Sequence, residues 1–219
     1  MTAGSRSSPP APPAPPAPLR SKPFRGEPSF DAAYYERHYE SESRVHGPKE
    51  IGHLATMITS YIAWLGGELR SVLDVGAGPG LMRDHFRAHL PHVRYRSTEV
   101  SSYAAKKYGH ERCDISVWCA DESFDLIVCQ GVLQYLTDEA ADRAIAHLGR
   151  MAGGFLYLEA ITRSDLVNVC DIERTDVAVH ARSGSFYRTR LARHFHFVGC
   201  GLYYAKSGDL LFYELERGP

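Results

Sequence analysis

The run Val72-Leu73-Asp74-Val75-Gly76-Ala77-Gly78-Pro79-Gly80 constrains this chain more than any other stretch. Aliphatic strand formers carry a single acid and then meet three alternating glycines. A buried parallel strand ends this way when its backbone must pass hard against a ligand. Glycine brings no Cβ to clash and tolerates the left-handed angles of a tight turn. A second acid, Glu99, closes the next strand-like run, Val93–Thr98. It follows the glycines by about 20 residues, a spacing that suits a carboxylate meant for ribose hydroxyls.

The glycine spacing narrows the ligand. A dinucleotide fingerprint, G-x-G-x-x-G, would want glycine at position 81, where Leu81 stands. This chain has G-x-G-x-G with Asp74 two residues before the first glycine. That pattern resembles motif I of the class I, Rossmann-like methyltransferases that use S-adenosylmethionine. Later segments are similar to the family's in the same order: Cys113-Asp114-Ile115 as the end of a third strand, and Phe124–Cys129 as a fourth. Gln130–Leu136 then resembles a short helix beside the cofactor. Thr137 opens a longer helix with an apolar face at Ala141, Ala144, Ile145 and Leu148, and acids in its first turn oppose the helix dipole. Gly153–Leu158 reads as strand five.

The resemblance implies an α/β three-layer sandwich: a mostly parallel seven-stranded sheet, a C-terminal antiparallel hairpin and a helical N-terminal cap. Residues 29–68 are expected to form the cap and 69–219 the methyltransferase domain. Two helices are expected in the cap, one over Phe30–Tyr39 and one from Pro48 to Gly66-Gly67, with an apolar stripe on the second. A short helix should hold Phe186, Leu191 and Phe195. Phe197–Tyr204 and Leu210–Leu215 then read as two strands, with Ser207-Gly208-Asp209 as the turn between them.

By the same resemblance, Gly76, Gly78 and Gly80 bring the loop backbone to the cofactor, and Glu99 takes the ribose hydroxyls. Asp114 would accept from the adenine amino group, with Ile115 against the ring, while Gln130 meets the methionine end. Asp74 either contacts the cofactor or holds the glycine-loop amides. In the cap, Tyr39 could face the sulfonium through cation–π attraction and Arg44 could pair with the methionine carboxylate. Tyr35 and His46 belong to the same cluster. The candidate general base is His180, between strand five and the last helix, since imidazole titrates near neutrality. Eleven histidines in the chain make that assignment a loose one.

The 219 residues, 44% of them hydrophobic, suffice for one domain with a full core, and the formal net charge of −1 gives no field for nucleic acid or acidic lipid. Nor does the Asn/Asp-Pro-Pro-Tyr tetrapeptide of many nucleic-acid amino-methylating enzymes follow strand four, where Cys129-Gln130-Gly131-Val132 stands. Five cysteines without a paired spacing point to a reducing cytoplasm and no structural metal, with Cys129 and Cys200 as small buried hydrophobes. No apolar run approaches the roughly 20 residues that span a bilayer. Residues 1–28, rich in proline and alanine, are expected to be a disordered, solvated tail. The expected activity is therefore methyl transfer from S-adenosylmethionine to an oxygen or nitrogen of a small molecule, a specialised metabolite. A protein or peptide acceptor, or a scaffold that binds the cofactor without turnover, stays open.

Overall fold

The computed structural model describes residues 30–41, 44 and 46–216. The tail expected over residues 1–28 lies outside them. Seven strands build one sheet: β1 (Ser71–Val75), β2 (Arg94–Glu99), β3 (Glu111–Arg112), β4 (Phe124–Gln130), β5 (Ala152–Glu159), β6 (Phe195–Gly199) and β7 (Leu202–Ala205). Their order across the sheet is β3-β2-β1-β4-β5-β7-β6. The first five run parallel, and β7 is antiparallel to both of its neighbours. The helices are α1 (Ala32–Tyr35), continued by a π-turn over Glu36–Glu40, α2 (Pro48–Trp64), α3 (Leu81–His89), α4 (Ser102–Tyr108), α5 (Asp138–Met151), α6 (Arg163–Asn168) and α7 (Gly184–Leu191).

Strand periodicity sorts the sheet's side chains into two cores. Ile51, Ala55, Ile58 and Ile62 of α2, with Met82 and Phe86 of α3, cover Val72, Leu126 and Phe155. On the other face Ile145, Leu148 and Met151 of α5, with Leu191 of α7, cover Leu73, Ile127 and Leu156. The stripe on α2 therefore packs directly on the sheet. Start signals work as the sequence suggests: Thr137, Ser101 and Ser183 each accept a backbone N–H from the first turn of the helix that follows. Asp125 sits where the β4–β5 register shifts, and its carboxylate accepts from the backbone of Arg70 (2.9 Å) and Ser71 (2.8 Å). That contact fixes where β1 enters the sheet, and so where its glycine loop leaves.

The C-terminal hairpin forms one segment earlier than the sequence suggests. The run expected as its first strand splits into β6 and β7, and Gly199 pairs with Leu202 across a two-residue loop, Cys200-Gly201. Both loop residues have positive φ, 49° and 75°, the requirement of the tight turn that matches a twisted hairpin. Cys200 is thus an exposed turn residue rather than a buried strand residue, while Cys129 is buried in β4 as expected. Leu210–Tyr213 runs as irregular backbone, with Leu211 90% exposed and the Phe212 ring against Tyr204. Phe195 opens β6 instead of ending α7, and β3 stops before Cys113, so Asp114 lies in the turn beyond it.

Candidate functional site

The loop after β1 is held by the strand beside it. Gly76 and Ala77 donate their N–H groups to the Thr98 carbonyl (2.9 and 3.0 Å), and Gly78 donates to Glu99 Oε2 (3.0 Å). Ser101 N–H donates to the other Glu99 oxygen at 3.0 Å. His110, a residue no sequence signal marked, bridges Ser97 Oγ (2.8 Å) and the Gly78 carbonyl (3.0 Å). At Gly76, φ is +71° and a Cβ would stand 2.3 Å from Val132 Cγ2. The glycine there is demanded by the chain's own packing as well as by any ligand.

Asp74 takes neither of the partners considered from sequence in this state. Its Oδ2 accepts from the Tyr95 hydroxyl at 2.7 Å, while the loop amides go to Thr98 and Glu99. Burial pushes the Asp74 carboxyl up to about 7, against the lowering effect of Tyr95. Glu99 is also raised by burial, opposed by the backbone N–H groups of Ser101 and Gly78 and by the Tyr35 hydroxyl. Two buried acids at adjacent strand ends, each disfavoured as an anion, make a pocket mouth that welcomes positive charge.

A cavity of about 530 Å³ opens beside the loop, at the carboxyl ends of β1, β4 and β5. Asp74, Gly76 and Gly78 line one side, and Gln130 and Glu159 line its floor. The Gln130 amide and the Tyr157 hydroxyl both donate to Glu159 Oε2, at 3.4 and 3.2 Å. Tyr34, His38 and Tyr39 close it from the N-terminal segment, with the Tyr39 ring stacked on Tyr35 at 5.3 Å. The far wall comes from the turn after β4, with Gln134 and Tyr135, and from the segment after β5, with Asp171 and Asp176. Tyr34 and Tyr135 share a hydroxyl–hydroxyl hydrogen bond of 3.0 Å.

Other residues singled out from sequence lie off this wall. Gly80 is the left-handed N-cap of α3 at the loop's end. Asp114 accepts from Ser116 N–H at 2.8 Å, and Ile115 is buried in the core beneath α5. Arg44 is exposed, beside Gly47 and Glu50. His180, expected at the acceptor pocket, does not line the cavity. Its N–H donates to the Gln134 carbonyl (2.8 Å), and its ring lies near Arg182 and Asp138, with burial lowering its pKa. Arg182 explains the displacement. Only 7% exposed, it donates to the Leu133 and Leu136 carbonyls and to Asp138, drawing the Val179–Arg182 segment under the turn after β4. Sequence reading missed Gln134, Tyr135, Glu159 and Asp176. The rule that ligands sit at strand carboxyl ends reaches Glu159, the last residue of β5, but the segment after β5 carries no such signal.

This sheet order, the glycine loop ending β1 and the acid ending β2 define a class I, Rossmann-like methyltransferase, a class that takes S-adenosylmethionine as its cofactor. The chain belongs to the family described as "Methyltransferase domain", whose model matches residues 49–201. Among solved structures, the fold is similar to that of the plantazolicin methyltransferase BpumL in complex with SAH. There the identity is 15%, over 75% of this chain and 70% of that one, with a TM-score of 0.59. It is also similar to the magnesium protoporphyrin IX methyltransferase ChlM from Synechocystis PCC 6803 with bound SAH. That match has 16% identity over 82% of this chain and 94% of that one, with a TM-score of 0.52. At such identities the likeness is one of fold. No curated protein matches the chain in sequence.

Proposed function

We propose that this protein moves a methyl group from S-adenosylmethionine to an oxygen or nitrogen of a small molecule, a specialised metabolite, held in the cavity beside the glycine loop. The cavity itself carries this reading: one continuous space of about 530 Å³ is lined both by Gly76 and Gly78 and by Glu159 and Asp176. Such a volume suits a small ligand with a few placed polar groups. The structures of BpumL and ChlM with SAH support the cofactor. The donor set here fits it too. Buried Asp74 and Glu99 face the loop, and a carboxylate has about four lone-pair sites, so Glu99 keeps capacity for a ribose hydroxyl beside its present donors.

When bound, the cofactor supplies an activated methyl carbon whose C–S electron pair stays on sulfur. The chain's residues then have positioning work, holding the acceptor about 3–3.5 Å from that carbon. Gln130 and Asp74 would orient the methionine end, Tyr39 would present its ring to the positive sulfur, and Asp114 with Ile115 would meet adenine. No helix of the described residues is long and apolar enough to cross a membrane. Five free thiols support a reducing cytoplasm, and a net charge of −1 speaks for a small acceptor over nucleic acid. Titration calorimetry tests the reading. S-adenosylmethionine and SAH should both bind while NADPH gives no heat, and an inert SAH titration would overturn it. A scaffold would bind yet release no SAH with any member of a metabolite panel.

A further inference from the structure

Gln134 is 2% exposed and lines the cavity, yet among the described residues its Oε1 has no hydrogen-bond donor. A buried acceptor left without a partner is costly, so the atom marks where a ligand's N–H or O–H belongs. What surrounds it chooses between the two. The described residues of the cavity wall include five carboxylates, Asp74, Glu159, Asp165, Asp171 and Asp176, against one guanidinium, Arg174. Asp165 is committed to capping α6 and Asp171 accepts from Glu173 N–H, but Glu159 and Asp176 keep acceptor capacity. No group of three or more His, Cys, Asp or Glu among the described residues converges as a metal would require. The rings of Tyr34, Tyr39 and Tyr135 share the wall, and their faces attract cations. A neutral alcohol would satisfy the Gln134 carbonyl but leave the carboxylates facing each other. A cation satisfies both.

We propose that the methyl acceptor is an amine, bound as its ammonium form by the Gln134 carbonyl together with the Glu159 and Asp176 carboxylates. This rests on the methyl-transfer reading above and names the acceptor for the same cavity. An ammonium has no lone pair and must first lose a proton. Tyr135 hydrogen-bonds to both Tyr34 and Asp176, so the proton passes across the Tyr135 hydroxyl to the Asp176 carboxylate. The freed nitrogen lone pair then forms the N–C bond as the C–S bond breaks onto sulfur, and the product nitrogen carries the positive charge.

The test is calorimetry on the full chain saturated with SAH, titrated with 2-phenylethylamine and 2-phenylethanol, then with cyclohexylamine and cyclohexanol. The amine of each pair should bind about tenfold tighter than its alcohol, the scale of a charge-assisted hydrogen bond. In both Gln134→Leu and Asp176→Asn that ratio should shrink about threefold or more. Equal binding of amine and alcohol, binding of neither, or a ratio unmoved in both variants overturns the inference while SAH binding leaves the proposed function standing. Absence of SAH binding in the wild type removes both. The wild-type ratio decides even where a variant fails to fold.

Discussion

Asp74 and Glu99 sit at the ends of adjacent parallel strands, and each is buried where an anion is disfavoured. For Asp74 the consequence for stability has a definite sign. With its carboxyl at about 7 in the fold and near the ordinary 3.9 when unfolded, the folded chain holds the extra proton between those values. Stability contributed by that proton is full below the lower value and is lost as pH rises through 7. Asp74→Asn should therefore gain thermal stability relative to wild type as pH rises from 4 to 8, and a constant difference across that range would refute the burial argument. A bound cation at Asp74 favours the anion, so wild-type affinity for S-adenosylmethionine should rise over the same interval. Glu99→Ala removes the acceptor for Gly78 and the proposed ribose contact together. SAH binding, followed by calorimetry, should weaken by about 10–100-fold. Both acids were evident from their places in the sequence. Their real partners, Tyr95 and the Gly78 amide, were not, because side chains from separate strands meet only when the sheet closes.

At the scale of elements, two connections decide the site and the edge of the sheet. Arg182 ties the segment after β5 to the turn after β4 through two carbonyls and Asp138, and so places Gln134 and Tyr135 at the cavity. Arg182→Leu strips those carbonyls of a donor in a buried setting. We expect chemical denaturation to show a loss of about 3 kcal/mol, against less than about 1 kcal/mol for the more exposed Arg94→Leu. The hairpin between β6 and β7 holds Cys200 at φ 49°, unusual for a residue other than glycine. Asparagine adopts that angle readily, so Cys200→Asn should stabilise the chain by about 1 kcal/mol, read from the same denaturation curves. The hairpin's existence followed from its alternating aromatic and branched residues. Its position did not, since Gly199-Cys200-Gly201 and Ser207-Gly208-Asp209 both carry turn chemistry. Packing of Leu202 and Tyr204 into the core chose the first.

Considered whole, the molecule is organised around one sheet with α2 as an integral wall. Its buried residues Ile51, Ala55, Ile58 and Ile62 belong to the same core as Val72, Leu126 and Phe155. The family match likewise begins at residue 49, within α2. A chain starting at residue 69 would expose that face of the sheet, so it should lose the cooperative thermal transition that a chain starting at residue 30 keeps. A sharp transition in the shorter chain would show that 69–219 folds by itself. The sequence alone determined the order of elements, the glycine loop and its two acids, because strand ends and tight turns depend on neighbours along the chain. Only the tertiary structure decided which side chains face the acceptor. His180 lies off the cavity and Gln134, Tyr135, Glu159 and Asp176 lie on it, since a cavity wall gathers residues from distant segments whose meeting depends on packing and on contacts such as those of Arg182.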